Sequence, residues 1–165
     1  MEAVLQNREH QRIVELHGLG ILDSGRDEGL DGLCALACDR FQVSIAAISL
    51  IDRDRQWFKA IRGLATRETP REQAFCAHTI LSDDVLVVPD ARVDERFAAN
   101  PLVSGDPGIR FYAGAPLIMP SGMRPGSFCL IDRKPRDFTD QDRQMLASFA
   151  TVVVSKILRS LPGPN

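Results

Sequence analysis

Hydrophobic positions recur with a helical period at both ends of the chain and with a strand period between them. Residues 2–19 are mostly polar, with Leu5, Ile13 and Leu16 at helical spacing and Gly18 and Gly20 weakening the end. A second helix is predicted within "DSGRDEGLDGLCALACDRF", where Leu30, Leu33, Cys34, Ala37, Cys38 and Phe41 mark one buried face. Ser24 and Asp27 have the spacing of a capping box ahead of it. The β-branched run "VSIAAISLID" (43–52) predicts a strand buried on both faces. "RDR" turns the chain, and "QWFKAIRGL" returns as an antiparallel partner. "VLVVPDA" (85–91), "FYAGAPLIM" (111–119) and "GSFCLID" (126–132) predict three more strands, the last two joined through "PSGMRPG". Short helical turns are predicted around 75–82 and 94–98.

The final segment carries the clearest signal. Thr139 and Asp142 form a capping pattern, and Met145, Leu146, Phe149, Ala150, Val153, Ile157 and Leu161 line one stripe. Val152 and Val154 widen that stripe beyond what one sheet needs. The element order predicts an α+β domain: helices at 2–41, sheet and connections over 43–132, and a last helix over 139–161. Terminal helices would pack on one face of a mainly antiparallel sheet of five to six strands. The long middle connection, 62–84 and 91–109, would cover the other. Long irregular segments in a compact domain are often functional.

A chain of 165 residues is most simply one domain. Its 44% apolar and 25% charged residues are ordinary globular values. A net charge of −2 excludes a general electrostatic case for nucleic acid. No run approaches the ~20 apolar residues of a membrane helix, and "MEAVLQNREHQR" lacks a signal-peptide core. The expected location is cytoplasmic, with reduced cysteines. The start Met and the "PGPN" tail are read as the ends of a whole protein. Cys34, Cys38, Cys76 and Cys129 include no C-x-x-C pair. Cys34 and Cys38 read as small buried hydrophobes.

Cys76 and His78 in "ETPREQAFCAHTI" admit three readings. On a helix, residues two apart point about 200° away from each other, so the pair would not converge on one metal ion. A nucleophilic thiol needs activation and a second, mobile thiol to resolve it, and Cys129 sits inside a predicted strand. The third reading is preferred: Phe75, Cys76 and Ile80 pack inward, and His78 or Thr79 faces a cavity.

The segments "LGILDSGRDEGLDGLCALA", "AISLIDRDRQWFKAIRGL", "ETPREQAFCAHTI", "VVPDARVDERFAANPLV", "IRFYAGAPL" and "GSFCLIDRKPRDFTDQDRQML" together resemble a GAF domain. The resemblance is to the bacterial signalling subgroup found ahead of diguanylate cyclases, phosphodiesterases and histidine kinases. It implies a six-stranded sheet, a pocket between sheet and middle connection, and terminal helices that pair two copies. The GAF-fold free methionine-R-sulfoxide reductases keep a cysteine in the loop before the fourth long strand. Here that loop, "NPLVSGDPGIRFYAG", has none. Bilin-binding and cyclic-nucleotide-binding GAF signatures are also missing.

The resemblance therefore implies a non-catalytic small-molecule sensor with no cofactor or metal, acting as a homodimer and with a signalling partner protein. A ligand-free dimerisation module remains the alternative, and a reductase the more distant one. Pocket candidates are Trp57, Arg71, Phe75, Cys76, His78, Asp90, Arg110 and Tyr112. Arg makes up 17 of the 20 basic residues and clusters in the middle connection, which allows an anionic ligand held by Arg71 and Arg110. The same two side chains could instead bind structural carboxylates such as Glu68, Glu72 or Asp90.

Overall fold

The computed structural model describes residues 2–161, so the "PGPN" tail lies outside the described residues. Helices α1 (Glu2–Gly18) and α2 (Glu28–Phe41) precede strands β1 (Ile45–Ile51), β2 (Arg55–Arg62) and β3 (Glu68–Pro70). A 3-10 turn (Arg71–Gln73) leads into the short α3 (Cys76–Thr79) and then β4 (Leu86–Val88). A second 3-10 turn (Ala91–Val93), α4 (Pro101–Ser104), β5 (Phe111–Leu117), β6 (Gly126–Asp132) and α5 (Asp140–Ser160) complete the chain. The strands form one sheet, ordered β3-β2-β1-β6-β5-β4, with every pairing antiparallel. The sixth strand is β3, three residues that sequence reasoning read as the lead into a helix.

Two cores share the sheet. Ala46, Ile48 and Leu50 of β1 face α2 and α5, while Ile45, Ala47 and Ile51 face the middle connection. That double burial explains why the β1 run has no polar alternation. Each buried Ile or Leu contributes about 1.5–3 kcal/mol of apolar transfer. The α5 cap forms as its sequence indicates: Thr139 Oγ1 accepts from Asp142 N, and Asp142 Oδ2 accepts from Thr139 N. The α2 cap differs. Asp27 is itself the N-cap, accepting from Leu30 N, while Ser24 donates to Ile21 O in the preceding turn. An extended residue beside the first helical turn reaches its N–H groups, and Ser24 is three residues too early.

A bulge in β2 sets which side chains reach the second core. Ile48 pairs with Ala60, but Ser49 pairs with Phe58, so Lys59 is the extra residue. Lys59 turns to the helical face and donates to Ser24 Oγ (2.8 Å) and Gly25 O. Gln56, Phe58 and Ile61 consequently line the same side of the sheet, although 58 and 61 are an odd number apart.

Candidate functional site

A cavity of about 390 Å³ lies between the sheet and the middle connection. Its floor is Phe58 and Ile61 from β2, Tyr112 from β5, and Cys129 and Ile131 from β6. Phe75 and Cys76 close one wall, and Leu102 and Ile109 another. Exposed Asp106 and Arg133 stand at the solvent end. Phe75 is held in place by Phe97, whose ring stacks on it at 4.0 Å and 8°. Asn100 braces the same cover: its carboxamide oxygen caps α4 at Leu102 N (2.9 Å), and its amide donates to Gln73 O (3.0 Å).

A ribbon of polar side chains crosses the sheet on this face. Gln56 Nε2 donates to Thr69 Oγ1 (2.9 Å), and Ser49 Oγ donates to Gln56 Oε1 (2.6 Å). Ser127 is the β6 residue opposite Ser49. Its hydroxyl is buried beside the Cys76 sulfur but makes no hydrogen bond among the described residues. Tyr112 Oη donates to Cys76 Sγ (3.1 Å) and pairs with Thr79 Oγ1 (2.6 Å). With Tyr112 donating to sulfur, Thr79 is the donor in the second bond.

Gly114 makes this arrangement possible. A Cβ there would lie 2.1 Å from Tyr112 Oη and 2.8 Å from Thr79 Oγ1. The Tyr112 side chain runs along its own strand over the gap that glycine leaves.

Cys76 is the centre of the cluster. Burial pushes its thiol up, but the neighbouring Cys129, Ser127 and Tyr112 side chains outweigh burial and bring it down to about 7. Ser49 also faces it, with its proton committed to Gln56. Cys129 is driven well above the ordinary thiol value, first by its bond to Cys76 and then by burial. Tyr112 is raised as well, by burial and then by the two cysteines.

Three of the eight sequence-derived candidates line the cavity: Phe75, Cys76 and Tyr112. Trp57 does not. It points to the helical face and packs in the other core, because it alternates with Phe58 on β2. Its indole lies under the Arg67 guanidinium, 5.8 Å from the ring centroid. His78 is exposed, with its ring edge on Phe97; burial of part of the ring and then nearby Arg96 push it down, favouring the neutral form. Asp90 caps the 3-10 turn at Arg92 N and pairs with the Arg92 side chain.

The two arginines are both engaged within the protein. Arg71 binds Glu9 Oε1 (2.6 Å) and Asp52 O (3.0 Å). Arg110 donates to Val103 O (2.8 Å) and Ile109 O (3.2 Å), tying the α4 loop to the start of β5. Gln56, Thr69 and Cys129 are the site residues that sequence reasoning missed. The available signal was a Gln directly before Trp57 and Phe58 on β2 and a Cys between Phe128 and Leu130 on β6. Cys129, read as too fixed to meet another thiol, is held by β6 against Cys76, because α3 packs directly over that strand. Among the described residues, no three His, Cys, Asp or Glu side chains gather as a metal site.

The GAF domain family profile matches residues 25–157. The chain belongs to the GAF domain family. A cyclic di-GMP phosphodiesterase of Pseudomonas aeruginosa is 47% identical over 150 residues, covering 90% of this chain and 26% of that protein. The chain thus spans about a quarter of that relative's length. Among solved structures, the GAF domain of an Acinetobacter phosphoenolpyruvate-protein phosphotransferase aligns with a TM-score of 0.65 at 18% identity, covering 91% of this chain and 94% of that one. The type II free methionine-R-sulfoxide reductase of Thermoplasma acidophilum also aligns at 0.65, with 15% identity over 81% of this chain and 92% of that one. At such identities the likeness concerns the GAF fold alone. This GAF chain has no described helix long and apolar enough to cross a membrane.

Proposed function

We infer that this GAF chain is a non-catalytic sensing module of bacterial signal transduction, with a small molecule as its input. The observation that carries this reading is the unfilled cavity of about 390 Å³, a volume within the ~300–1,000 Å³ range of ligand pockets. Its walls are mainly apolar, with the polar edge of Gln56, Thr69 and Tyr112 on one side. A ligand with an apolar body and one or two hydrogen-bonding groups suits it. Arg71 and Arg110 bind protein oxygens and lie outside the cavity lining, so an anionic group would be served at the solvent end by Arg133, whose Nε donates to Pro107 O. A non-catalytic role is supported by the absence of a cysteine from the sequence between α4 and β5. The similarity to part of a cyclic di-GMP phosphodiesterase supports the signalling role, and a cytoplasmic location is part of the same proposal.

Output through the terminal helices of a homodimer completes the proposal. Val14 on α1 and Val152 and Leu158 on α5 are exposed at 56%, 41% and 37%. Ligand binding can shift helix pairing only by its differential affinity for the two arrangements.

The test is native mass spectrometry of gently purified protein, with release and identification of bound small molecules, followed by a fragment screen by thermal shift. Leu102→Trp, which fills the cavity, is the control. Compounds retained or stabilising for the wild type and lost in Leu102→Trp are expected. Equal behaviour of both proteins across the screen overturns the reading.

A further inference from the structure

The four cysteines fall into two pairs with opposite chemistry. Cys34 and Cys38 lie one turn apart on α2. Burial pushes Cys34 up to about 12 and raises Cys38 too, so both stay as unreactive thiols. Cys76 and Cys129 come from different elements, α3 and β6, and both line the cavity where its wall meets its floor. Tyr112 Oη donates to the Cys76 sulfur at 3.1 Å, and the Ser127 hydroxyl and the Cys129 thiol lie beside it. Such donors stabilise a thiolate, and an adjacent protonated thiol is placed to resolve an oxidised one.

We propose that Cys76 and Cys129 are a peroxide-reactive dithiol, in which a small hydroperoxide admitted to the cavity oxidises Cys76 and Cys129 then closes a disulfide between α3 and β6. In the first step the Cys76 thiolate attacks the terminal oxygen of ROOH. The O–O bond breaks, Cys76 becomes a sulfenic acid, and the RO⁻ leaving group takes the proton Cys76 had lost. In the second step the Cys129 sulfur attacks the Cys76 sulfur. The S–O bond breaks, the S–S bond forms, and the hydroxyl leaves as water with the Cys129 proton. Two thiols lose two electrons and two protons, and the hydroperoxide becomes ROH and water. A dithiol reductant reverses the exchange.

The two thiols play different parts. Cys76 is the more acidic and the attacking one, whereas Cys129 remains protonated until the second step. The disulfide would fasten the short helix of the cavity cover to the central sheet and remove the acceptor of Tyr112 in its thiolate form. This site uses no residue of the loop before β5 and does not depend on a ligand occupying the cavity.

The experiment treats folded wild-type protein with hydrogen peroxide, alkylates free thiols after quenching, and maps peptides without reduction. A Cys76–Cys129 disulfide that dithiothreitol reverses is expected as the main product, with Cys34 and Cys38 recovered as free thiols. Cys129→Ser should stop at a Cys76 sulfenic acid that dimedone captures, and Cys76→Ser should slow peroxide consumption by about tenfold or more. Should either variant fail to fold, the wild-type map alone decides. A Cys34–Cys38 disulfide as the main product overturns the proposal, as does recovery of Cys76 unreacted or as sulfinic acid.

Discussion

Arg71 donates to Glu9 Oε1 at 2.6 Å, fastening the turn that leads into α3 to the first helix, 62 positions earlier. Arg12 holds the same carboxylate at 2.8 and 2.9 Å and reaches Pro125 O with its buried guanidinium. Partial burial pushes the Glu9 carboxyl up, and the Arg12 and Arg71 hydrogen bonds outweigh it, bringing it from 4.5 down to about 2. A folded-state value below the unfolded one contributes stability that is present above about pH 4.5 and lost as pH falls through 2. Glu9→Gln should cost about 1–2 kcal/mol at pH 7: partial exposure of Glu9 screens the pair, but the buried Arg12 guanidinium loses its charged partner. Thermal melts at pH 7 and pH 3 check the sign: wild type should lose more stability than Glu9→Gln on acidification. An equal loss in both would show that the bridge is not linked to folding.

Gly114→Ala should be destabilising far beyond its size. The added carbon would meet Tyr112 Oη and Thr79 Oγ1 inside contact distance, so the phenol must leave its place on the sheet. Overpacking of this kind costs about 1–3 kcal/mol. Urea denaturation reads the loss. In the double variant Gly114→Ala with Tyr112→Phe, removal of the obstructed hydroxyl should restore part of it.

Tyr112→Phe alone separates stability from thiol chemistry. It leaves buried Thr79 without its partner, at about 1–3 kcal/mol, and removes a donor from Cys76. The Cys76 thiol should therefore titrate higher than its wild-type value of about 7. Thiolate ultraviolet absorbance against pH measures the shift. The linkage sign is that of an acid held low: wild type gains stability as pH rises from 7 towards the ordinary 9, and the variant should gain less.

Which of these features the sequence announces follows from their physical range. The double burial of β1 and the Thr139 cap are local patterns, readable in seven and four residues. Phe75, Cys76 and Tyr112 are readable because apolar residues on a cover and on a central strand have few other places to go. Trp57 misleads because alternation puts only one of Trp57 and Phe58 at the cavity, and the pairing of β2 with β1, not residue type, decides which. Arg71 resembles a ligand-binding fork because its partner Glu9 belongs to a helix that polar residues fill almost all round. Cys76 and Cys129 are separated by most of the middle connection, and only the antiparallel order β1-β6-β5 under α3 brings them together.

Phe97 should prove the keystone of the cavity cover. It is 1% exposed, stacks on Phe75, and receives the His78 ring edge and the Arg96 guanidinium, 5.2 Å from its centroid. It belongs to the turn after Asp94, where no regular helix fixes it and only turn bonds such as Phe97 N to Asp94 O (3.0 Å) support its packing. Phe97→Ala should cost about 3–5 kcal/mol, because the space left behind cannot collapse against a rigid sheet. Phe97→Leu keeps most of the buried area and loses only the stacking, so about 1–2 kcal/mol is expected. Urea titration distinguishes the two if the slope m is unchanged. Hydrogen exchange should localise the Phe97→Ala defect to residues 71–104, with β1 and β6 protected as in wild type. A defect spread evenly over the sheet would mean that the cover and the sheet unfold as one unit. The cavity wall could then not move without the core, and a ligand there would have no hinge through which to act.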